Sequence, residues 1–189
     1  MITLFDTETT GLLQPGTATY DRAPGITQIA ALKLDNDMNE IEEPFNEYVD
    51  PEINPLGWEE KAIEITGINP DMVKSAPSFM TIGLKFANYV LGSHTLAGYN
   101  IIGFDVPVLA FQLERYGLKH HFPWPPNHYD VMHVAKQYFN LLGKRGTKNP
   151  KLGEAYKEIF GKTFDNAHDA LADIRATAAV MKEVKNGTR

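Results

Sequence analysis

The N-terminal segment MITLFDTETTG holds an apolar run, Ile2, Leu4 and Phe5, broken by two carboxylates one residue apart, Asp6 and Glu8. An ionised carboxylate alone in apolar surroundings is costly, or is driven to its neutral form. The pair therefore needs a cation to hold, or a place at a strand end where water reaches it. In a strand, residues i and i+2 point to one face, about 6.5–7 Å apart. Asp6 and Glu8 then aim together from the C-terminal end of a first strand over residues 1–7. Thr9, Thr10 and Gly11 turn the chain away. Gly11 is expected to adopt a backbone angle that other residues resist and to bring main-chain N–H groups near whatever the acids hold.

Two further strands follow, over residues 26–34 (ITQIAALKL) and 41–49, joined by a turn at Asp35-Asn36-Asp37. A short helix is expected over residues 58–65, ended by Thr66-Gly67, and a longer one over 77–91. In the longer one Phe79, Ile82, Phe86, Tyr89 and Val90 fall near helical spacing. A buried strand over 94–99 and a helix over 106–116, with Pro107 harmless in its first turn, come next. A short strand around Tyr129, a helix to Leu142, a helix over 152–160 and a last helix over 169–184 complete the pattern. Three antiparallel-type strands followed by alternating strands and helices specify an α/β layer fold with a mixed sheet.

The chain of 189 residues is long enough for one full core and shows no linker or repeat. It reads as a single domain over 1–185 with a short tail at 186–189. No apolar run approaches the roughly 20 residues of a membrane span, and the start lacks the pattern of a secretory leader. The absence of cysteine excludes disulfides and thiolate metal sites and fits a reducing, cytoplasmic setting. A net charge of −6 argues against adhesion to nucleic acid over the whole surface. It is compatible with a nuclease that gathers acids around divalent metals. One stretch, GKRGTKNPK, carries Lys144, Arg145, Lys148 and Lys151 with no acid among them; it reads either as a solvated loop or as a local basic patch.

Two more acids stand in comparable places. Asp105 closes N-I-I-G-F-D after the buried strand, and Asp173 lies in H-D-A-L-A-D on the last helix, where Ala170, Ala172 and Ala176 keep the surroundings slim. Four carboxylates without thiolate favour Mg²⁺ or Mn²⁺ over zinc. Two such ions about 3.5–4 Å apart can clamp both oxygens of a phosphoryl displacement. His168 is the natural proton acceptor. It precedes Asp173 by five residues, about 140° around a regular helix, so the two cannot share a face. His168 must then lie at the start of the helix or in the loop before it, with Asp165 or Asn166 as the cap.

The segments F-D-T-E-T-T-G, N-x-x-x-F-D and H-D-A-L-A-D-I-R-A-T, in that order, resemble the three motifs of the DEDDh exonucleases, the proofreading type of the ribonuclease-H-like superfamily. I-T-G-I at residues 65–68 and K-L-G-E-A-Y before His168 are similar too, so the likeness runs from Ile2 to about Met181. It implies a ribonuclease-H-like mixed sheet flanked by helices, with Asp6, Glu8, Asp105 and Asp173 as ligands of two divalent ions, Mg²⁺ or Mn²⁺. It implies His168 as the base that takes a proton from the attacking water. Thr9, Leu12, Asn100 and Phe104 are implied to line the pocket of the terminal nucleotide. Stepwise 3′→5′ release of nucleoside 5′-monophosphates from single-stranded DNA is the activity implied, in proofreading, repair or end-trimming. The family's oligoribonuclease and ribonuclease T branches offer RNA 3′ ends as the alternative substrate, and a non-catalytic replication-associated module is a third reading. A polymerase or replication protein is the implied partner. Two departures stand out: Thr66-Gly67 replaces the His-Gly of many relatives, and the chain stops soon after its last helix, which weakens a dedicated polymerase-subunit role.

Several residues carry plainer readings. Asp169 is expected to complement the last helix's dipole from its first turn. The other five histidines, His94, His120, His121, His128 and His133, have no partners at zinc-site spacing. Trp58 and Trp124 read as packing residues.

Overall fold

The second strand sets the architecture. In a computed structural model that describes residues 1–143, 146–165 and 169–187 (Asn186 by its backbone alone), all nine residues of β2, Ile26–Leu34, are buried. A strand covered on both faces needs helices above and below it. It lies inside a five-stranded sheet of order β3-β2-β1-β4-β5, with β1 Ile2–Thr9, β3 Phe45–Tyr48, β4 Thr95–Gly98 and β5 Asn127–Asp130. β1, β2 and β3 pair antiparallel, whereas β1–β4 and β4–β5 pair parallel. This is the mixed sheet expected.

The helices are α1 Glu60–Thr66, α2 Pro70–Val73, α3 Phe79–Val90, α4 Asp105–Arg115, α5 Val131–Phe139, α6 Leu152–Phe160 and α7 Ala170–Asn186. Period-two alternation divides the core. Phe5, Ile29 and Ala31 face α3 and α4, packing with Ile82, Phe86, Val108 and Leu109. Leu4, Ala30 and Leu32 face the opposite way, onto Val131, Ala135, Ala155, Ile174, Val180 and Met181 of α5, α6 and α7. Asp6 and Glu8 continue the side of Leu4, so the alternation aims them at α7.

Several boundaries differ from expectation. The third strand starts at Phe45 rather than Ile41, because Pro44 has no N–H to give to a ladder; a single bridge, Leu34 to Glu40, precedes it. α5 stops at Phe139, where Asn140 turns left-handed at φ 49°, three residues before the expected end. The basic stretch contains a small hairpin, β6 Leu142–Gly143 with β7 Gly146–Thr147; Lys144 and Arg145 between them lie outside the described residues. Lys148 is no free charge, since its Nζ donates to Glu154 Oε1 at 2.5 Å. α2, capped by the Asn69 side chain, has no counterpart among the expected helices, and α7 extends to Asn186, two residues beyond the expected end at 184. No helix among the described residues is long and apolar enough to cross a membrane.

Candidate active site

The sheet opens where its pairing changes. β4 flanks β1 in parallel only as far as Leu4 opposite Ala97. The lack of a Cβ on Gly98 lets β4 come this close, since a methyl there would sit 2.8 Å from the Phe5 carbonyl oxygen. Beyond that point β1 runs on beside β2 alone, with Asp6 opposite Ala30 and Glu8 opposite Gln28, until a register shift between Glu8 and Thr9. Such irregularities end pairing and re-aim side chains. The acids therefore stand in the crevice at the carboxyl end of the strands where sheet direction switches, a place that favours ligands in open α/β sheets.

α7 closes the crevice from one side. Asp6, Glu8 and Asp173 each offer a carboxylate oxygen, and these oxygens lie within 4.8 Å of one another. Asp173 is presented in the first turn of α7, whose cap is Asp169. The Asp169 side chain accepts from Ala172 N at 3.0 Å, and its carbonyl accepts from Asp173 N at 2.9 Å. The cap is thus Asp169 itself, not Asp165 or Asn166. His168 lies outside the described residues.

Asp105 reaches the crevice from the other side of the sheet. It begins α4, is 2% exposed, and its Oδ1 accepts from Thr7 N at 3.0 Å and Thr7 Oγ1 at 2.8 Å. Thr7, the residue between the two β1 acids, therefore ties Asp105 to the same strand. Asp105 lies outside the close group of three oxygens, yet near enough for its charge to act on Asp6 and Glu8.

Gathering like charges in a half-buried crevice makes ionisation costly. Burial, and then repulsion from Asp105, Glu8 and Asp173, hold the Asp6 carboxyl well above the usual range. Burial, with Asp173 and Asp105 next, pushes Glu8 up to about 8. Burial raises Asp105 to about 7 against the lowering effect of the Thr7 hydrogen bonds. A divalent cation among these oxygens removes the repulsion that protonation otherwise relieves. The donor set, all carboxylate oxygen, fits a hard ion such as Mg²⁺ or Mn²⁺.

The residues implied to hold a nucleotide flank these acids. Thr9 is buried and its hydroxyl donates to Gly11 O at 2.7 Å, closing the turn. Leu12 follows at 64% exposure, its side chain open to solvent. Asn100 adopts φ 62°, and its carbonyl accepts from Gly103 N and Phe104 N, each at 3.0 Å. Phe104 is half-buried against the α3–α4 core. Gly11 corrects an expectation: it has no left-handed φ, and a Cβ there would lie 2.6 Å from Glu59 Oε1. Its value is the space it leaves for the Glu59 side chain.

Asp130 was missed. This buried carboxylate at the end of β5 accepts from Asn100 N at 3.1 Å and Met132 N at 3.0 Å through Oδ1, and from Ile102 N at 3.2 Å through Oδ2. It caps α5 while holding the bend that presents Asn100. An Asp between a strand and a helix signals the cap; nothing in the sequence signals the second role.

Comparison with known proteins sharpens this arrangement. Residues 3–181 match the RNase_T family, described as exonuclease. The chain is 34% identical over 179 residues to a PolC-type DNA polymerase III of Bacillus cereus, and 30% identical over 180 residues to that of Clostridium perfringens. These alignments cover 94% and 95% of this chain but 11% of each polymerase, so the chain spans about a tenth of those relatives. E. coli exonuclease I, solved in complex with a dT13 oligonucleotide, superposes with a TM-score of 0.79 at 24% identity over 98% of this chain and 41% of its own. An apo exonuclease I gives 0.77 at 22% identity, over 97% of this chain and 41% of its own. These likenesses establish a shared fold.

Proposed function

The chain belongs to the RNase_T exonuclease family, and from that premise we propose that it is a metal-dependent 3′→5′ exonuclease acting on single-stranded DNA. Residues 1–185 form its one domain in this reading, and proofreading, repair or end-trimming is its setting. The observation that carries the proposal is the convergence of Asp6 and Glu8 from β1 with Asp173 from α7, 165 residues or more apart in sequence, on one small volume at the sheet's switch point. The binding of a dT13 oligonucleotide by exonuclease I supports DNA as the substrate class. The PolC-type relatives support a replication partner.

Two divalent ions, Mg²⁺ or Mn²⁺, are assigned to Asp6, Glu8, Asp105 and Asp173. Bound there, they would polarise the scissile phosphate and offset charge on the attacking and leaving oxygens. The chain's own residues do the rest. Thr7 and the start of α4 hold Asp105 in place, and the Asp169 cap holds Asp173. Leu12 and Phe104 offer apolar surface to the terminal base, while Thr9 and Asn100 supply polar contacts around its sugar. His168 takes the proton of the attacking water, whose oxygen bonds to phosphorus as the P–O bond to the neighbouring nucleotide's 3′ oxygen breaks; that oxygen takes up a proton from solvent, and a nucleoside 5′-monophosphate leaves.

The test is digestion of 5′-labelled single strands by purified protein with Mg²⁺ or Mn²⁺, DNA beside RNA. Asp6→Ala should yield no product, and His168→Ala should slow release by about 10²–10⁴-fold, the usual contribution of a positioned acid–base group. Full activity in Asp6→Ala rejects the assignment. Faster digestion of RNA moves the substrate to the exoribonuclease branch.

A further inference from the structure

A groove of about 330 Å³ is lined by Gln14, Pro15, Gly16, Thr17, Arg22 and Leu56. Building on the exonuclease reading, we propose that this groove binds the backbone of single-stranded nucleic acid upstream of the terminal nucleotide, with Arg22 as its phosphate contact.

The groove's first wall begins a few residues past the turn that follows Asp6 and Glu8. Gln14 follows Gly11 by three residues, a reach of at most about 10 Å, and exposed Leu12 lies between them. The walls belong to two separate segments, one on each side of β2 and β3 in sequence, and hydrogen bonds near Arg22 and Leu56 tie the two together. Arg115 of α4 donates through Nη1 to Ile53 O at 3.0 Å, and through Nη2 to Ala23 O at 2.7 Å and to Tyr20 O. One guanidinium thus joins the turn carrying Arg22 to the segment carrying Leu56. Thr10, in the turn just past the metal-site acids, adds a second staple: its Oγ1 donates to Asn54 Oδ1 at 3.1 Å and accepts from Gly25 N at 3.0 Å. Its carbonyl takes Glu59 N at 2.8 Å. A groove held this way loses little freedom when a ligand enters, which favours binding.

Its chemistry suits a polynucleotide. No carboxylate lines it, although the chain as a whole carries −6. Among the described residues no acid pairs with the Arg22 side chain, in contrast to Lys33, Lys61, Lys74, Lys85, Lys119 and Lys148. Leu56 is 49% exposed, and Tyr20, in the same turn as Arg22, is 43% exposed. A cation beside an exposed apolar side chain, with no acid in the wall, suits the phosphate backbone of a single strand.

The test compares Arg22→Ala and Arg22→Lys with the unaltered chain. Binding is read by anisotropy of a labelled ten-nucleotide thymidine strand whose 3′-terminal linkage is a phosphorothioate, across a series of salt concentrations. Arg22→Ala should weaken binding about 5–20-fold, the scale of one lost charge-assisted contact. The slope of log affinity against log salt should fall by about 0.7, one phosphate contact on a single strand; Arg22→Lys should keep that slope. The p-nitrophenyl ester of thymidine 5′-monophosphate, which fills only the terminal pocket, should be hydrolysed equally by all three proteins. Unchanged affinity and slope in Arg22→Ala overturn the proposal, as does an equal loss on the ester, which would place Arg22 at the terminal pocket. Failure of the exonuclease reading shows separately, as no hydrolysis of unmodified strand or ester by the unaltered chain with either metal.

Discussion

At the scale of single residues, the acids of β1 combine two opposing requirements: a crevice shielded enough to strengthen electrostatics, and a concentration of like charge that such shielding makes costly. The consequence is measurable without substrate. Glu8 raised to about 8 and Asp105 raised to about 7 hold protons in the folded chain that the unfolded chain, with ordinary carboxyls near 4, has released. Where the folded state binds more protons, stability falls as pH rises. The contribution is complete below about pH 4 and lost through about pH 7–8. In chelator, the melting temperature should therefore drop between pH 5 and 8, and millimolar Mg²⁺ should shrink that drop. Differential scanning calorimetry at several pH values checks it; a flat profile in chelator would show that the carboxylates ionise freely. The residue scale also shows what residue type alone misses. Asp130 and Thr7 look like an ordinary cap and an ordinary strand threonine, yet each hydrogen-bonds a segment far away in sequence that carries a candidate functional residue.

Among elements, α7 matters most to the site, because its first turn holds Asp173 and its buried stripe of Ala170, Ile174, Thr177, Val180, Met181 and Val184 seats it against the sheet. The cap decides whether that first turn stays wound. Asp169→Ala should cost about 1 kcal/mol of stability and raise the Mg²⁺ concentration for half-maximal activity. Asp169→Asn keeps a capping oxygen and removes only the charge, so comparison of the two variants by denaturation and metal titration separates winding from electrostatics. Equal behaviour of both would assign the effect to charge. Elements differ, too, in how readable they are. β2 and α6 occupy the expected residues, 26–34 and 152–160, since each has a clear periodicity and clean end signals. The third strand, the end of α5 and the β6–β7 hairpin departed from expectation because a proline, a left-handed asparagine and a two-residue ladder leave little trace in hydrophobic pattern.

Taken as a whole, the molecule puts most of its aromatic core on one face of the sheet and three of the candidate site's acids on the other. The core under α3 is aromatic, with Phe86 fully buried and its ring centroid 5.5 Å from that of Phe5, 5.4 Å from Phe45 and 5.8 Å from Phe122. The Asp6, Glu8 and Asp173 oxygens gather on the opposite face. Phe86→Ala should cost about 3–5 kcal/mol in chemical denaturation, yet leave turnover per folded molecule close to that of the unaltered chain at low temperature. A loss of turnover well beyond the unfolded fraction would show that the two faces are coupled.

What residue order determined was local. The i, i+2 rule placed Asp6 and Glu8 on one face, alternation named the strands, and the ordered motifs carried the family resemblance. The tertiary structure decided which distant groups meet. Pairing of β4 with β1 ends one residue before Phe5, so a crevice opens where direction in the sheet reverses, and α7 and Asp105 reach it from separate parts of the chain while Asp130 holds the bend at Asn100. The physical reason is one of range: periodicity and turn chemistry act over a few neighbouring residues, whereas burial, charge repulsion and hydrogen bonding across the sheet depend on distances that exist only once the chain is packed.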